Sequence, residues 1–418
     1  MRVLLLTLVV PFPLDSGPKV KTYNLLRYLA QRHEVTLVSL VRSAQEREHA
    51  ETLRPLCREI YTVPFTRSRL RDAGHLLRSV FANDSFILRR DASPELERLL
   101  AELTARARYD IIHADQLNMA RFAAGLPGGA RVLDEHNAVW TIVKRMADQS
   151  GFLPKRILLD LEARRLRRLE GALCSRFDAV MAVSEPDRWA LQLAAAEAEF
   201  AGLAAMPPPD MIPIAVDTQA VLPVEREPAP RMILSMATMF WPPNVDGVLW
   251  FASEVYPLVR REVPEARFAV VGARPPRSVR RLAERDPSIT VAGYVADPRP
   301  YLAASAALIV PVRAGGGMRV KILDALARGI PIVSTTIGYE GIELTPGEHL
   351  LVGDTPAAFA AALVRLLRRP EDGRRLATAG RALAERCYDW RVVNPQVDAI
   401  YERLAPAGAP VGGDARRG

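Results

Sequence analysis

The chain has 418 residues, enough for two or three domains, and its 49% hydrophobic and 25% charged residues are ordinary for a globular protein with a large core. Its net charge of +8 is spread out, without a lysine-rich arm, zinc-finger spacing or basic stripe interleaved with aromatic residues, so no nucleic-acid binding is expected. The positive balance suits a phosphate-bearing substrate or an anionic membrane surface.

Four features bear on the compartment. The cysteines at 57, 174 and 387 are scattered and odd in number, which favours a reducing compartment and predicts no disulfide framework. The apolar start at residues 1–11 is short and leads into a helix, so it predicts a buried first strand rather than a signal peptide. No run reaches about 18 apolar residues, and we expect a cytoplasmic protein. The arginines at 164, 165, 167 and 168 lie on a predicted helix and either face solvent or contact lipid at the inner face of the cell membrane.

Short apolar runs alternate with longer helical patterns along the first half, which is typical of a parallel sheet with crossover helices. The predicted strands are 3–10, 35–41, 59–63, 111–114, 132–135, 179–183 and a stretch near 211–213. The predicted helices are 19–32, 94–107 and 153–174.

A proline- and glutamate-rich stretch then interrupts the pattern, and the alternation restarts after it. The predicted strands are 232–236, 267–271, 289–292, 307–311 and 332–335, and the predicted helices are 245–263, 298–304, 319–328, 355–367 and 370–387. We therefore predict two doubly wound, Rossmann-like α/β domains that face a central cleft. The predicted divisions are a first domain over 1–216, a linker over 217–230, a second domain over 231–388, a last helix over 389–404 and a disordered tail over 405–418.

The strongest motif follows the predicted strand 307–311. Gly315, Gly316 and Gly317 come before a predicted helix whose first turn carries Arg319 and Lys321. Glycines let the backbone approach a ligand, and a helix N-terminus favours anions. The two cations cost roughly a few tenths of a kcal/mol each at that end of a helix, and a bound diphosphate reverses the sign of this cost. The alternative is a plain glycine-rich turn with solvent-facing cations.

Other candidate side chains lie at strand ends and in helix first turns. Gly17 and Lys21 repeat the pattern of a glycine and a cation after the first strand, and Asp324 offers a carboxylate to sugar hydroxyls. His113 and His136 each end a strand and point toward the predicted cleft, although a lone histidine is more often structural. The six histidines lack the spacing of a metal site. No phosphate-loop, dinucleotide or nucleophile-elbow motif is present, which argues against a kinase, a dehydrogenase and an α/β-hydrolase.

Several of these segments together resemble the retaining glycosyltransferases of family 4, which adopt the GT-B fold. Gly293, Tyr294 and Val295 resemble the segment next to the donor base, and 315–334 resembles the acidic-x7-acidic donor motif. The stretches 214–217, 15–17 and 135–136 resemble the segment before the linker, the first glycine loop and the loop with an active-site histidine. The stretches 241–244 and 315–321 are similar to a subgroup associated with bacterial surface and exopolysaccharide synthesis.

The resemblance implies a nucleotide-diphosphate-sugar donor in the second domain, an acceptor in the first, and retention at the anomeric carbon without a required metal or cofactor. It also implies that the last helix crosses back to the first domain. Arg319 and Lys321, with Arg313 as a further candidate, would meet the diphosphate. Asp324 would bind donor hydroxyls and His136 would position the sugar or acceptor, while Gly17 would admit the donor phosphate.

Two departures from the family pattern stand out. The first acidic position falls on Gly316 and the second is Asp324 rather than Glu, while Thr238 and Asn244 replace the usual Arg and Lys. We expect a hexosyltransferase acting on a lipid-linked or polysaccharide acceptor. The alternatives are a sugar-nucleotide epimerase of the same fold and a catalytically silent nucleotide-sugar-binding subunit.

Overall fold

The computed structural model describes residues 1–65, 85, 86 and 90–405, and the chain in it forms two compact units. Met1–Ala215 and the last segment from Trp390 form the N-terminal unit, and Val216–Asp389 form the C-terminal unit. Each unit contains one parallel β-sheet with crossover helices. The predicted fold class, two Rossmann-like α/β domains, is confirmed.

The N-terminal sheet has seven strands in the order β3-β2-β1-β4-β5-β6-β7, and every pair is parallel. Its strands are β1 Arg2–Thr7, β2 Glu34–Val41, β3 Glu59–Pro64, β4 Ile111–Asp115, β5 Ala130–Glu135, β6 Ala179–Ala182 and β7 Asp210–Met211. Helices cover both faces, so β1 is apolar and buried without alternation. Because β1 lies between β2 and β4, the strand order changes direction at β1. In such folds, ligands bind at the carboxyl ends of the strands beside this switch point.

Local sequence signals explain where several helices of this unit begin. Within the described residues, its α-helices before the C-terminal unit are α1 Gly17–Leu29, α2 Ala44–Glu51, α3 Pro94–Arg106, α4 Leu117–Ala123, α5 Val139–Asp148, α6 Leu153–Cys174 and α7 Glu185–Phe200. The Ser93 hydroxyl accepts from the Leu96 N–H at 3.3 Å, and the Ser184 hydroxyl accepts from the Asp187 N–H at 3.3 Å. Each serine precedes a first turn that carries proline, so both helices start with a side-chain cap and a preset backbone angle.

The C-terminal sheet has six parallel strands in the order β10-β9-β8-β11-β12-β13. Its strands are β8 Met232–Met236, β9 Arg267–Val271, β10 Ile289–Gly293, β11 Ser305–Val310, β12 Ile332–Ser334 and β13 Leu351–Val352. Its helices are α8 Pro242–Trp250, α9 Tyr256–Glu262, α10 Arg277–Arg285, α11 Arg299–Ala303, α12 Val320–Ala327, α13 Pro356–Arg368 and α14 Pro370–Leu383. Since ligands bind at the carboxyl ends of parallel strands, the candidate loops of this unit are those after β8, β9, β10 and β11.

The segment after the C-terminal unit is broken, although the sequence predicts one continuous helix. It forms α15 Trp390–Val393 and α16 Gln396–Leu404. Pro395 lies between them and cannot continue a helix, because it lacks an N–H group and its ring clashes with the preceding turn. Val393, Val397 and Tyr401 pack in the core of the N-terminal unit. Of the predicted tail, residues 406–418 lie outside the described residues.

Gly171 brings α6 and α7 into close contact, which gives a prediction for stability. A Cβ atom at this position would lie 2.1 Å from the Ala194 carbonyl oxygen and 2.5 Å from its carbon. We expect Gly171→Ala to lower the free energy of unfolding by about 1–3 kcal/mol, the usual cost of overpacking. Denaturant titration measures the change. Gly125→Ala is the control, because nothing lies within 4 Å of its Cβ. Equal stability of the two variants would contradict this packing.

Candidate functional site

The loop after β11 in the C-terminal unit depends on glycine at two positions. Gly315 and Gly317 adopt positive φ angles of 131° and 75°, which side chains strain against. A Cβ atom on Gly315 would also lie 2.7 Å from Nη2 of Arg319. Glycine therefore lets the Arg319 guanidinium fold over the loop, and the sequence motif has a definite three-dimensional form.

Arg319 braces this loop from the start of α12. It is the N-cap residue, so the helix begins one residue later than the sequence predicts. Its Nη1 donates to the Gly317 carbonyl oxygen at 2.9 Å and to the Gly316 carbonyl oxygen. The guanidinium thus lies where the positive end of the helix meets the glycine backbone.

Lys321 stands in the first turn of α12 beside a neutral partner. Its Nζ donates to Oδ1 of Asn244 at 2.9 Å, and Nδ2 of Asn244 donates to the Thr238 carbonyl oxygen at 3.0 Å. Desolvation, followed by repulsion from Arg319, lowers the pKa of Lys321 to about 7. The lysine therefore reaches the two positions, Thr238 and Asn244, where the sequence departs from the family pattern, although 77 residues separate Lys321 from Asn244.

Two other predicted site residues in this unit already have ionic partners. Arg313 donates from Nε and Nη2 to both oxygens of Asp246, at 3.1 and 2.8 Å. Asp324 accepts from Nε of Arg328 at 2.8 Å, one helical turn later. A ligand that binds Arg313 or Asp324 would therefore have to compete with these ion pairs.

The end of β10 carries the segment predicted to lie next to the donor base. Gly293 has a positive φ of 71°, and its carbonyl oxygen accepts from the Gly272 N–H at 2.7 Å, which joins the ends of β9 and β10. Tyr294 is 76% exposed and Val295 is half-buried. An exposed aromatic ring at the carboxyl end of a parallel strand is available for stacking.

In the N-terminal unit, Lys21 does not stand free near a phosphate position. Gly17 begins α1, and one turn later the Lys21 ammonium is hydrogen-bonded to Asp134, with both side chains buried. Burial alone would raise the pKa of Asp134, but Lys21, His113 and His136 hold it below its ordinary value. The ion pair spans 113 residues of sequence, so no local pattern could reveal it.

His136 lies at the carboxyl end of β5, next to the end of β4. Its ring is 3% exposed, and Nε2 is 3.0 Å from Oδ1 of Asp115 and 3.9 Å from Oδ2 of Asp134. Oδ1 of Asp115 also accepts from the Thr22 hydroxyl at 2.8 Å. Sequence reasoning missed Asp115 and Asp134, although they stand at the same strand ends that identified the histidine.

His113 has a different environment from His136. It is fully buried within β4, its Nδ1 is 2.8 Å from the Tyr401 hydroxyl, and its Nε2 is 3.8 Å from Oδ2 of Asp134. These contacts fit the structural alternative for this histidine. They also connect α16 to the polar network below His136.

Side chains of Asp115, Asp134 and His136 place potential ligand atoms within 4.8 Å of one another. Carboxylate and imidazole groups at such distances suit a metal ion, and sequence spacing did not reveal the cluster. The Lys21 ammonium, however, already supplies a cation at Asp134. We therefore treat the cluster as a buried charge network and assign no metal to it.

Two family models match the chain, one for each unit. The model described as glycosyltransferase family 4 matches residues 16–195, and the model described as glycosyl transferases group 1 matches residues 230–369. The first match contains His136 and the second contains the glycine loop with Arg319 and Lys321.

The chain is similar to parts of curated proteins. It is 37% identical over 99 residues to a phosphatidyl-myo-inositol mannosyltransferase of Mycobacterium leprae, which covers 23% of this chain and 26% of that protein. It is 23% identical over 169 residues to an uncharacterised 44.6 kDa protein in the cps region of Klebsiella pneumoniae, which covers 38% of this chain and 43% of that protein. The matches thus span less than half the length of these relatives.

Solved structures show the fold over nearly the whole chain. Sucrose-phosphate synthase from Thermosynechococcus elongatus superimposes with a TM-score of 0.70 at 17% identity, covering 97% of this chain and 99% of that one. HepE of Anabaena, in complex with UDP and glucose, superimposes with a TM-score of 0.67 at 15% identity, covering 96% and 99%. Both likenesses are likenesses of fold.

Proposed function

Because the chain belongs to the glycosyltransferases of family 4, group 1, with the GT-B fold, we propose that it transfers a hexose from a nucleotide-diphosphate sugar to a lipid-linked or polysaccharide acceptor, with retention of the anomeric configuration. The observation that carries the proposal is the glycine loop after β11, with Arg319 and Lys321 at the start of α12. Loop N–H groups, a helix N-terminus and two cations together form a diphosphate site.

The donor contacts are assigned within the C-terminal unit. Arg319 and Lys321 stabilise the negative charge that develops on the leaving diphosphate, the kind of interaction often worth several kcal/mol in catalysis. Lys321 is suited to this role because its present partner, the Asn244 amide, is neutral. Asp324 accepts sugar hydroxyls in exchange for its surface pair with Arg328, and Tyr294 lies against the base. HepE, captured with UDP and glucose, is a structural neighbour that supports a nucleotide donor.

The N-terminal unit is assigned to the acceptor. His136 positions the sugar or acceptor, and Gly17 admits the donor phosphate to the first loop. We assign Lys21 to holding Asp134 near His136 rather than to binding the phosphates, because Lys21 and Asp134 form a buried ion pair. In the transfer, the bond from the anomeric carbon to the phosphate oxygen breaks and a bond to the acceptor oxygen forms. The departing phosphate oxygen takes the acceptor proton, and no metal or cofactor is invoked.

A donor panel tests this proposal against its alternatives. The purified protein is incubated with uridine-, guanosine- and adenosine-diphosphate hexoses, and both nucleotide release and sugar identity are scored. A transferase releases the nucleoside diphosphate, through transfer or slow hydrolysis. An epimerase changes the sugar without release, and a silent binding subunit does neither. The silent subunit is favoured by one observation, Gly316 at the first acidic position of the donor motif.

Lys321 predicts a pH dependence of nucleotide binding. Its pKa is lowered to about 7 in the free protein, and a bound diphosphate favours the charged ammonium, so binding takes up a proton above pH 7. We expect the affinity for a nucleoside diphosphate to fall between pH 7 and pH 9, by up to about tenfold per unit. Above pH 7 the phosphate, whose own pKa is about 6, stays ionised. Calorimetry in buffers of different ionisation heat counts the protons taken up.

Lys321→Arg is the matched control for this pH dependence, because a guanidinium stays charged throughout the range. The variant should bind with little change between pH 7 and pH 9. A wild-type affinity that is equally independent of pH would contradict the assignment of Lys321 to the phosphates.

We also propose reversible docking of the N-terminal unit on anionic membranes. The first half of α6 and the residue before it expose large apolar side chains beside cations, a composition suited to lipid headgroups and the acyl boundary. The exposed apolar residues are Phe152, Leu153, Ile157, Leu158 and Leu161, and the exposed cations are Lys155, Arg156 and Arg164. Among the described residues, no helix is both long and apolar enough to cross a membrane.

Vesicle co-sedimentation should show binding to phosphatidylserine vesicles that weakens at high salt and is lower on phosphatidylcholine vesicles. A Phe152→Ser, Ile157→Ser variant should lose most of this binding because it removes apolar contact. The control is Leu222→Ser, which changes an equally exposed side chain of the C-terminal unit. Equal binding to neutral and anionic vesicles would sink the proposal.

A further inference from the structure

The backbone segment just after His136 is held by two carboxylates, which belong to helices that are distant in the sequence. Oδ1 of Asp187, in α7, accepts from the Ala138 N–H at 3.0 Å. Oε1 of Glu170, in α6, accepts from the Val139 N–H at 2.8 Å, and its Oε2 accepts from the Trp140 N–H at 3.1 Å. Three successive backbone groups just after His136 are thus bound by carboxylates.

These bonds replace the usual side-chain cap of α5. The first N–H groups of a helix have no partner inside it, and its N-cap side chain commonly supplies one. Here the N-cap residue is Ala138, which has no side chain able to accept. Glu170 lies 31 residues from Val139 and Asp187 lies 49 residues from Ala138. The cap therefore comes from tertiary structure, and it fixes the β5–α5 turn relative to α6 and α7.

Burial of the two carboxylates strengthens these hydrogen bonds and makes their loss costly. Glu170 is fully buried and Asp187 is 4% exposed. Hydrogen bonds to ionised groups are roughly twice as strong as neutral ones, and a carboxylate at a helix N-terminus also gains from the helix dipole. Asp187 is itself held by the Ser184 hydroxyl and the first turn of α7. The two carboxylates thus stand on well-ordered supports.

A third acidic side chain, Glu135, faces Glu170 from the sheet. Burial, followed by repulsion from Glu170 and Asp134, raises the pKa of Glu135 well above its ordinary value. Burial also raises the pKa of Glu170, to about 8, although its two backbone donors act in the opposite sense. Both oxygens of Glu170 accept N–H bonds, and these two donors favour its ionised form.

The ring of His136 needs support from outside. Both of its nitrogens are buried and have no hydrogen-bond partner among the described residues, and the 3.0 Å approach of Nε2 to Asp115 lacks hydrogen-bond alignment. The position of the ring therefore depends on the backbone that carries it and on its contact with Asp115, rather than on an aligned hydrogen bond. That backbone is anchored two residues later by Asp187, and three and four residues later by Glu170.

We propose that Glu170 and Asp187 are positioning residues for His136: by binding the N–H groups of residues 138–140, they set the place and direction of its imidazole. The inference rests on the proposed function, because the two carboxylates act on transfer only through His136. A displacement of about 1 Å at a reacting group can lower the rate by about 10²-fold. Glu170 and Asp187 can therefore affect the rate without touching the substrate.

Conservative substitutions test the proposal. In Glu170→Gln, the side-chain carbonyl still accepts one N–H bond but the amide nitrogen accepts none; Asp187→Asn presents the same choice at Ala138. We expect kcat to fall by about tenfold to 100-fold in each variant, with the donor KM within about twofold of wild type. Glu199→Gln, an exposed glutamate of α7, is the control and should keep normal kcat. Wild-type kcat in both test variants would overturn the inference.

A double-variant cycle separates positioning from general stability. With His136→Ala already present, Glu170→Gln should cause no further loss of kcat, because no imidazole remains to be positioned. Additive losses would show that Glu170 acts elsewhere and would overturn the inference. Normal turnover of His136→Ala alone would instead refute the proposed role of the histidine, and the positioning role would fall with it.

A spectroscopic measurement does not depend on transferase activity. The ring carbon-bound proton signals of His136 in the NMR spectrum are assigned by their loss in His136→Ala. They should shift in Glu170→Gln and Asp187→Asn and stay in place in Glu199→Gln. Unchanged His136 signals in both folded test variants would overturn the inference even if no donor is turned over.

Discussion

Replacing Arg319 by alanine is expected to lower the affinity for a nucleoside diphosphate by roughly 10- to 150-fold, and removing Lys321 should cost a similar or smaller factor. Each substitution removes a charge-assisted contact, worth about 1.5–3 kcal/mol, at 1.4 kcal/mol per tenfold change. The double variant should lose more than either single one. The contacts matter most here because Thr238 and Asn244 leave no cation at the positions that the family usually uses.

Calorimetric titration of nucleoside diphosphates into the wild type and the variants measures this loss. Arg374→Ala is the matched control, since it removes an exposed arginine near the start of α14 in the same unit. Unchanged affinity in the Arg319→Ala, Lys321→Ala double variant would place the phosphates elsewhere, and the donor site proposed here would be wrong.

The two substitutions should differ in their effect on the protein without ligand. Arg319 donates hydrogen bonds to the Gly316 and Gly317 carbonyl oxygens. Its removal breaks these bonds and should therefore lower thermal stability. Lys321 stands desolvated near the positive charge of Arg319, so its removal should leave thermal stability unchanged or slightly higher. Melting curves of the two single variants measure this difference alongside the titrations.

His136→Ala is expected to reduce turnover by about 10²-fold or more, in the range of a lost, positioned catalytic group. The fold should remain intact, because the ring nitrogens make no hydrogen bond within the described residues. The affinity for a nucleoside diphosphate should also remain, because Arg319 and Lys321, the cations assigned to the diphosphate, lie in the C-terminal unit. Steady-state kinetics with a donor found by the panel, together with nucleotide titration, measures both quantities.

His49→Ala serves as the control for this variant, since His49 lies on α2 and its ring makes an edge-type contact with the ring of Phe12. It should keep wild-type turnover. If His136→Ala turns over as fast as the control, His136 is a structural histidine like His113, and the acceptor site must be sought at other side chains of the N-terminal unit.

The sequence alone determined the two α/β units and the glycine motif, because both are local properties. Uninterrupted apolar strands report burial on both faces of a sheet, and the helices between them imply parallel pairing. Gly315, Gly317 and Arg319 lie within five residues, so their meeting in one loop follows from chain connectivity. The serine caps of α3 and α7 are equally local.

Local patterns failed where a distant group decided the outcome. The sequence predicts Lys21 at a phosphate position, and it gives no sign that the Lys21 ammonium pairs with Asp134, 113 residues away. It predicted one helix after the C-terminal unit, and Pro395 divides it in two. The first result depends on a partner that no spacing rule can identify, whereas the second was readable from the known constraint on proline.

Tertiary structure alone assembled the surroundings of both candidate sites. The strand order places the end of β4 beside the end of β5, which brings Asp115 to His136. The packing of α6 and α7 brings Glu170 and Asp187 to the backbone after His136, and α12 brings Lys321 to Asn244. The sequence specifies which polar groups exist, but buried polar groups must find partners, and which partners meet is decided by the order and packing of the elements that carry them.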